Sequence, residues 1–73
     1  MNQYTYRIRI PASISDEVLD ELLSEEYIKL EKEEPADSQY TDYAITVEGT
    51  QSQSEEFSRL VQRTTGSKIL TSP

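Results

Sequence analysis

The stretch Ser15–Glu26, SDEVLDELLSEE, places six carboxylates within twelve residues. Two carboxylates in a cleft can act as an acid and a base, as glycosidases use them, provided that their surroundings separate the two pKa values. Here apolar residues recur between the acids at helical spacing, so we expect the acids on the solvent side of a helix. Nothing in the sequence predicts a cleft around them, and we expect no catalytic role.

Residue types that most other chemistries require are missing. The chain has no cysteine and no histidine, which removes thiolate and imidazole ligands and the usual general base near neutral pH. Its only glycines are Gly49 and Gly66, so no glycine-rich loop is available to hold a phosphate. The acids Asp37, Asp42 and Glu48 do not have the spacing of a calcium-binding loop. We therefore expect a protein that is not an enzyme and that holds neither a cofactor nor a metal.

Charge and length restrict the possible partners. Fourteen acids and seven bases give 73 residues a net charge of -7, which repels nucleic acid and anionic membranes. No long apolar run is present, so we expect neither a transmembrane span nor a signal-peptide core. Together with the absence of cysteine, this favours a single small cytoplasmic domain covering residues 1–73.

Hydrophobic periodicity predicts six elements. Alternating patterns predict strands at 4–11, 27–34, 43–49 and 67–71, and helical patterns predict helices at 15–26 and 52–66. Ser15 is the expected N-cap of the first helix, and Ser52 with Glu55 matches a capping box for the second. Gly66 has the position of a helix C-cap. The polar segment 33–42 is predicted to be a flexible loop.

The order β-α-β-β-α-β predicts an α+β fold. We expect a split βαβ (ferredoxin-like βαββαβ) two-layer sandwich, in which two helices cover one face of an antiparallel sheet of order 4-1-3-2. The strands would direct one set of side chains inward: Tyr4, Tyr6, Ile8, Ile10, Tyr43, Ile45 and Val47. A core of this size leaves about 3–5 kcal/mol of net stability, so a homodimer formed through an edge strand or the bare sheet face stays an open alternative.

Two arginines are expected on the uncovered face of the sheet. Arg7 and Arg9 would lie beside Asp42 and Glu48 of the third strand, where cross-strand ion pairs are the favoured interpretation. The alternative is an RNA-binding platform of the RRM type, which requires aromatic residues on that face. The alternation places the tyrosines of these strands on the core side, and we expect no direct contact with nucleic acid.

The acids of the first helix include like-charge pairs four residues apart, such as Asp16–Asp20, Glu17–Glu21 and Glu21–Glu25, which each cost a few tenths of a kcal/mol. One interpretation is a face that only keeps the protein in solution; the other is a docking surface for a basic partner protein. On the second interpretation Tyr27 and Tyr40 serve as aromatic anchors for the partner. The candidate partner-binding residues are Asp16, Glu17, Asp20, Glu21, Glu25, Glu26, Tyr27 and Tyr40.

The segment EEFSRLVQRTTGSKILTS, with YRIRIPASIS near the start, resembles the CpcD-type domain of phycobilisome linker polypeptides. The resemblance covers about 25 residues and rests on Arg59, Leu60, Gly66, Lys68 and Ile69. It implies a compact, non-catalytic module that works by contact with other proteins.

Three functions follow as hypotheses. The first is a small acidic, non-catalytic protein-interaction module, a regulator or inhibitor of the phage-type, nucleic-acid-mimicking kind, that blocks a basic partner protein. The second is a linker-like structural component of a larger protein assembly. The third is a small-ligand-sensing dimeric domain.

Overall fold

The computed structural model describes residues 2–73, which form four strands and two helices in the expected order. These elements are β1 (Asn2–Pro11), α1 (Ser15–Leu23), β2 (Ile28–Pro35), β3 (Tyr40–Gly49), α2 (Gln51–Arg63) and β4 (Lys68–Thr71). Among these residues, neither helix is long and apolar enough to cross a membrane. The predicted α+β class is confirmed.

All strand pairs of the sheet are antiparallel. β1 pairs with β3 along its whole length, from Asn2 opposite Gly49 to Pro11 opposite Tyr40. β3 also pairs with β2, and β1 pairs with β4 over Arg7–Arg9. The strand order is β2-β3-β1-β4, or β4-β1-β3-β2 from the opposite edge.

The core lies between one face of this sheet and the two helices. Side chains directed to this face alternate along the central strands, as the sequence pattern predicted. The ring of Tyr6 lies 4.9 Å from the ring of Phe57, and its hydroxyl donates to the main-chain oxygen of Ser54 at 3.0 Å. The buried apolar residues are Tyr6, Ile8, Ile10, Leu19, Leu22, Ile28, Tyr43, Ile45, Val47, Phe57 and Val61.

Helix α1 begins and ends differently from the prediction. Ile14 occupies the N-cap position, and no side chain caps the helix. Ser15, the predicted N-cap, is buried in the first turn, and its hydroxyl donates to the Ala12 carbonyl at 3.1 Å. The helix ends at Leu23, so Glu25 and Glu26 lie in the following turn rather than in the helix.

Helix α2 has a capping box two residues earlier than predicted. The Gln53 amide donates to Thr50 Oγ1 at 3.2 Å, and the Thr50 amide donates to Gln53 Oε1 at 2.9 Å. The prediction of a box at Ser52 and Glu55 was wrong. Gly66 is also not the C-cap, which is Thr64. With φ of +82°, Gly66 instead forms the turn before β4, where a Cβ atom would lie 2.9 Å from the Pro11 ring.

The segment 33–42, expected to be a loop, is largely strand. β2 continues through Pro35 and β3 begins at Tyr40, which leaves 36–39 as the connection. The Asp37 carboxylate accepts from the amides of Gln39 at 2.7 Å and Tyr40 at 2.9 Å, which stabilises this turn. The register of β2 against β3 shifts between Leu30 and Lys32, and Leu30 is 39% exposed at this bulged edge.

Candidate functional site

Helix α1 presents four exposed carboxylates to solvent. Its buried residues Leu19 and Leu22 are directed at the sheet, and the helical period directs the acids away from it. The acids of α1 are Asp16, Glu17, Asp20 and Glu21, and all four are exposed. The turn that follows adds exposed Glu25 and Glu26. We call these six residues the acidic helical face.

Tyr27 lies at the edge of the acidic helical face. It is half-buried in the turn before β2. Burial raises the pKa of the Tyr27 hydroxyl, and the carboxylates of Glu56 and Glu25 raise it further. The structure therefore places Tyr27 beside one acid of the acidic helical face and one acid of α2, where its ring is available as an anchor.

Tyr40 lies elsewhere. It is the first residue of β3, opposite Pro11, and shares a side of the sheet with Asp42 two residues on. That side is the uncovered one, so the structure does not bring Tyr40 together with the acidic helical face.

The carboxylates of the acidic helical face have no cationic partners within residues 2–73. The four ion pairs formed by the described residues use only Glu34, Asp42 and Glu48 as acids. The acidic helical face contributes to none of them. Its charges are thus available to cations from outside the molecule.

The opposite surface, the open sheet face, has a different charge. Strand alternation and register place five of the seven bases on it together with three acids, a net charge of +2. The other two bases and eleven acids carry a net charge of -9. The charged residues of the open sheet face are Arg7, Arg9, Lys29, Lys32, Lys68, Glu34, Asp42 and Glu48.

Ion pairs on the open sheet face largely neutralise its acids. Arg9 and Asp42 form a two-point contact across β1 and β3, at 2.7 Å and 3.0 Å, as the sequence predicted for this pair. This hydrogen bonding lowers the pKa of Asp42 and raises that of Arg9. Arg7 instead approaches Glu34 of β2 at 3.7 Å.

Glu34 has a closer partner on its own strand. Lys32 Nζ lies 2.5 Å from Glu34 Oε1, and this hydrogen bond lowers the pKa of Glu34, with a smaller contribution from the charge of Arg7. On the same face, Lys29 pairs with Glu48 at 3.2 Å. Sequence reasoning missed the lysines of β2 as members of this network. The alternation of Lys29 with the apolar Ile28 and Leu30 was a signal for Lys29, whereas Lys32 reaches this face only through the bulge between Leu30 and Lys32.

The open sheet face also carries a shallow pocket of about 170 Å³. Arg7, Lys32, Glu34 and Asp42 line it, so its charges are of both signs. A second depression of about 250 Å³ lies between the helices, and its wall holds apolar Leu22 and Leu60 together with Glu21 and Arg63, which carry opposite charges. Neither depression offers a converging set of like charges for an ionic ligand. Within residues 2–73, no group of three acids is placed to hold a metal ion.

Comparisons of the chain with protein-family models, with curated proteins and with solved structures find no significant match.

Proposed function

We propose that this chain is a small, non-catalytic protein-binding module whose acidic helical face binds the basic surface of a partner protein. The observation that supports it is the contrast between the two faces. The open sheet face pairs each of its acids with a base, whereas the acidic helical face pairs none within residues 2–73. Like charges one helical turn apart cost stability, and a basic partner would relieve that repulsion.

The fold that we propose for this module is the split βαβ, ferredoxin-like sandwich. The supporting features are the element order, the strand order β4-β1-β3-β2 and the burial of residues from both helices in one core. In this arrangement the helices present one surface and the sheet presents the other. Each surface can then carry its own charge.

Within this function, we favour a regulator or inhibitor that occupies the nucleic-acid site of its partner. Rows of exposed carboxylates on a rigid helix can occupy the place of backbone phosphates, which dominate the affinity of basic proteins for nucleic acid. Tyr27 at the edge of the acidic helical face would supply the apolar contact that charge alone lacks.

The test compares two double charge reversals with the same change in net charge. Asp20→Lys/Glu21→Lys alters the acidic helical face, and Glu31→Lys/Glu33→Lys alters exposed acids of β2 that form none of the described ion pairs. A partner is captured from native lysate with the wild-type chain, purified and titrated against each variant by calorimetry. We expect the first variant to raise Kd by at least about tenfold and the second by less than about threefold.

Equal losses for the two variants would show that net charge alone drives the binding and would overturn the proposed site. The inhibitor subtype has its own measurement. Duplex DNA added to the complex should displace the chain from its partner if both use one basic surface, and unchanged binding in excess DNA would reject the mimicry.

A further inference from the structure

Strand β1 has a free edge over its first half. It pairs with β3 along all ten residues but with β4 only at Arg7, Ile8 and Arg9. In the described chain, no strand pairs with residues 2–6 on the β4 side. An unpaired edge is a template for another strand, because its outward amides and carbonyls have no partners in the sheet.

The two edges of the sheet are protected unequally. β2, at the other edge, carries five charged residues, a bulge and Pro35, which are devices that prevent strand pairing. The free edge of β1 has the sequence NQYTY, with no charge and no proline. The first half of β1 is therefore the edge that can accept a strand.

A groove of about 530 Å³ runs beside this free edge and is bordered by α2. Half-buried Tyr4 lines it from β1, and Glu55 and Arg59 line it from the helix. Ser72 and Pro73, which follow β4 without pairing with β1, line its remaining side. Glu55 and Arg59 lie one helical turn apart with opposite charges, and neither forms any of the ion pairs seen within residues 2–73. The groove thus presents an aromatic ring and two unpaired charges next to an unpaired strand.

The free edge and the two charges share one midpoint. α2 begins at Gln51, two residues after Gly49, which lies opposite Asn2, and it runs in the direction of β1. With a rise of about 1.5 Å per residue in the helix and about 3.3 Å in the strand, the midpoint of Glu55 and Arg59 lies level with Tyr4–Thr5. That is also the middle of the free edge.

We propose that the free edge of β1 pairs antiparallel with the same edge of a second copy of this chain. A twofold axis near Tyr4–Thr5 would join the two sheets into one of eight strands. The same axis would bring Glu55 of each copy to Arg59 of the other, since a twofold contact reverses the order of the two charges. The two Tyr4 rings would meet in the joined grooves.

The charges of the chain favour a second copy at this place. Two molecules of net charge -7 repel each other over most of their surfaces. The free edge lacks charge. A twofold axis would place the negative Glu55 of each copy against the positive Arg59 of the other. No residue of the acidic helical face takes part, so this dimer and the proposed partner binding are independent.

Sedimentation velocity from micromolar to millimolar protein tests the dimer. Wild-type chain should dimerise with concentration, and Arg59→Glu or Glu55→Arg should each raise the dimer Kd by at least about tenfold. The double variant Glu55→Arg/Arg59→Glu keeps the net charge and restores opposite pairs, so its Kd should return to within about threefold of wild type. A wild-type monomer throughout, or no recovery in the double variant, overturns the proposal.

A pair of lysine variants tests the edge itself. Thr5→Lys places a charge on the free edge, and Leu30→Lys places the same charge on the β2 edge, where the leucine is already exposed. Both variants reduce the net negative charge by one, so the general electrostatic repulsion between two copies would weaken equally in both. We expect Thr5→Lys to remove the dimer and Leu30→Lys to keep it, with circular dichroism confirming that both are folded. The reverse result would overturn the proposal.

Discussion

The guanidinium of Arg9 donates two hydrogen bonds to the carboxylate of Asp42, from Nε to Oδ1 at 2.7 Å and from Nη2 to Oδ2 at 3.0 Å. The two residues are direct neighbours on the central strands β1 and β3. Asp42 is only 8% exposed, so its charge depends on this partner. A two-point contact of this kind also restricts the register of the two strands.

Asp42→Asn should lower the melting temperature by several degrees at neutral pH and by less in acid. The pKa of Asp42 is lowered in the folded protein, below the value of about 3.9 in the unfolded chain. Its contribution to stability is therefore complete above about pH 4 and is lost as the pH falls through the lower folded value. Thermal melts of both proteins between neutral pH and strong acid measure this convergence.

The matched control is Glu31→Gln, which also removes one negative charge from an exposed strand position. Glu31 forms none of the described ion pairs, and its replacement should leave the melting temperature nearly unchanged. A constant gap between Asp42→Asn and wild type at every pH would contradict the role of the carboxylate charge.

Thr50→Ala should destabilise the protein by about 1 kcal/mol, because it removes the side chain that accepts from the Gln53 amide at the start of α2. Ser52→Ala, two residues later on the exposed surface, should change the free energy of unfolding by no more than a few tenths of a kcal/mol. Urea unfolding followed by circular dichroism gives both values. If Ser52→Ala proved the more damaging, the cap would lie where the sequence alone placed it.

Phe57→Ala should leave little folded protein. The ring is fully buried against Tyr6, and its removal costs about 3–5 kcal/mol, which is the whole stability expected of a core this size. Phe57→Leu should cost about 1 kcal/mol and stay folded. The gentler Tyr6→Phe removes only the hydroxyl that bonds Ser54 and should also cost about 1 kcal/mol. Unfolding in guanidinium chloride measures the three free energies of unfolding. Equal values for Phe57→Ala and Phe57→Leu would contradict this packing.

Added salt should raise the melting temperature by a few degrees. The acids of the acidic helical face repel each other, and the screening length falls from about 30 Å at 0.01 M salt to about 8 Å at 0.15 M. The variant Asp20→Lys/Glu21→Lys should show a smaller rise, since it removes like-charge neighbours on α1. Scanning calorimetry across a salt series measures both. A melting temperature that falls with salt would show that the ion pairs of the open sheet face outweigh this repulsion.

The regular elements were predictable from the sequence because their apolar residues repeat with a period of two or of 3.6. Alternation in β1 correctly separated Ile8 and Ile10 from Arg7 and Arg9. Helix starts were less predictable, since both Thr50–Gln53 and Ser52–Glu55 match a capping box. The choice between them depends on where β3 ends, at Gly49. That end is set by strand pairing in the folded protein and not by the local sequence.

The candidate surfaces were predictable to different degrees. Exposure of Asp20 and Glu21 follows from the helical period alone. The proximity of Arg7 to Glu34 required the register of β2 against β3, which includes a bulge that no local pattern indicates. Composition suggested a loop at 33–42. Pairing with β1 nevertheless makes Tyr40 a strand residue, because each residue pair added to a sheet stabilises the adjacent residue pairs. The free edge of β1 depends on the length of β4 and could not be inferred from β1 itself.

The separation of charge between the two faces gives the molecule a permanent electric dipole directed from the helices to the sheet. In the field of a basic object the domain would rotate before contact, so that the helices lead and the sheet trails. The same orientation would hold on a cationic chromatography resin or sensor surface. Immobilisation there would cover the acidic helical face and leave the sheet facing the solution. A partner that binds the helices would then go undetected, unless the chain were tethered covalently through its sheet side.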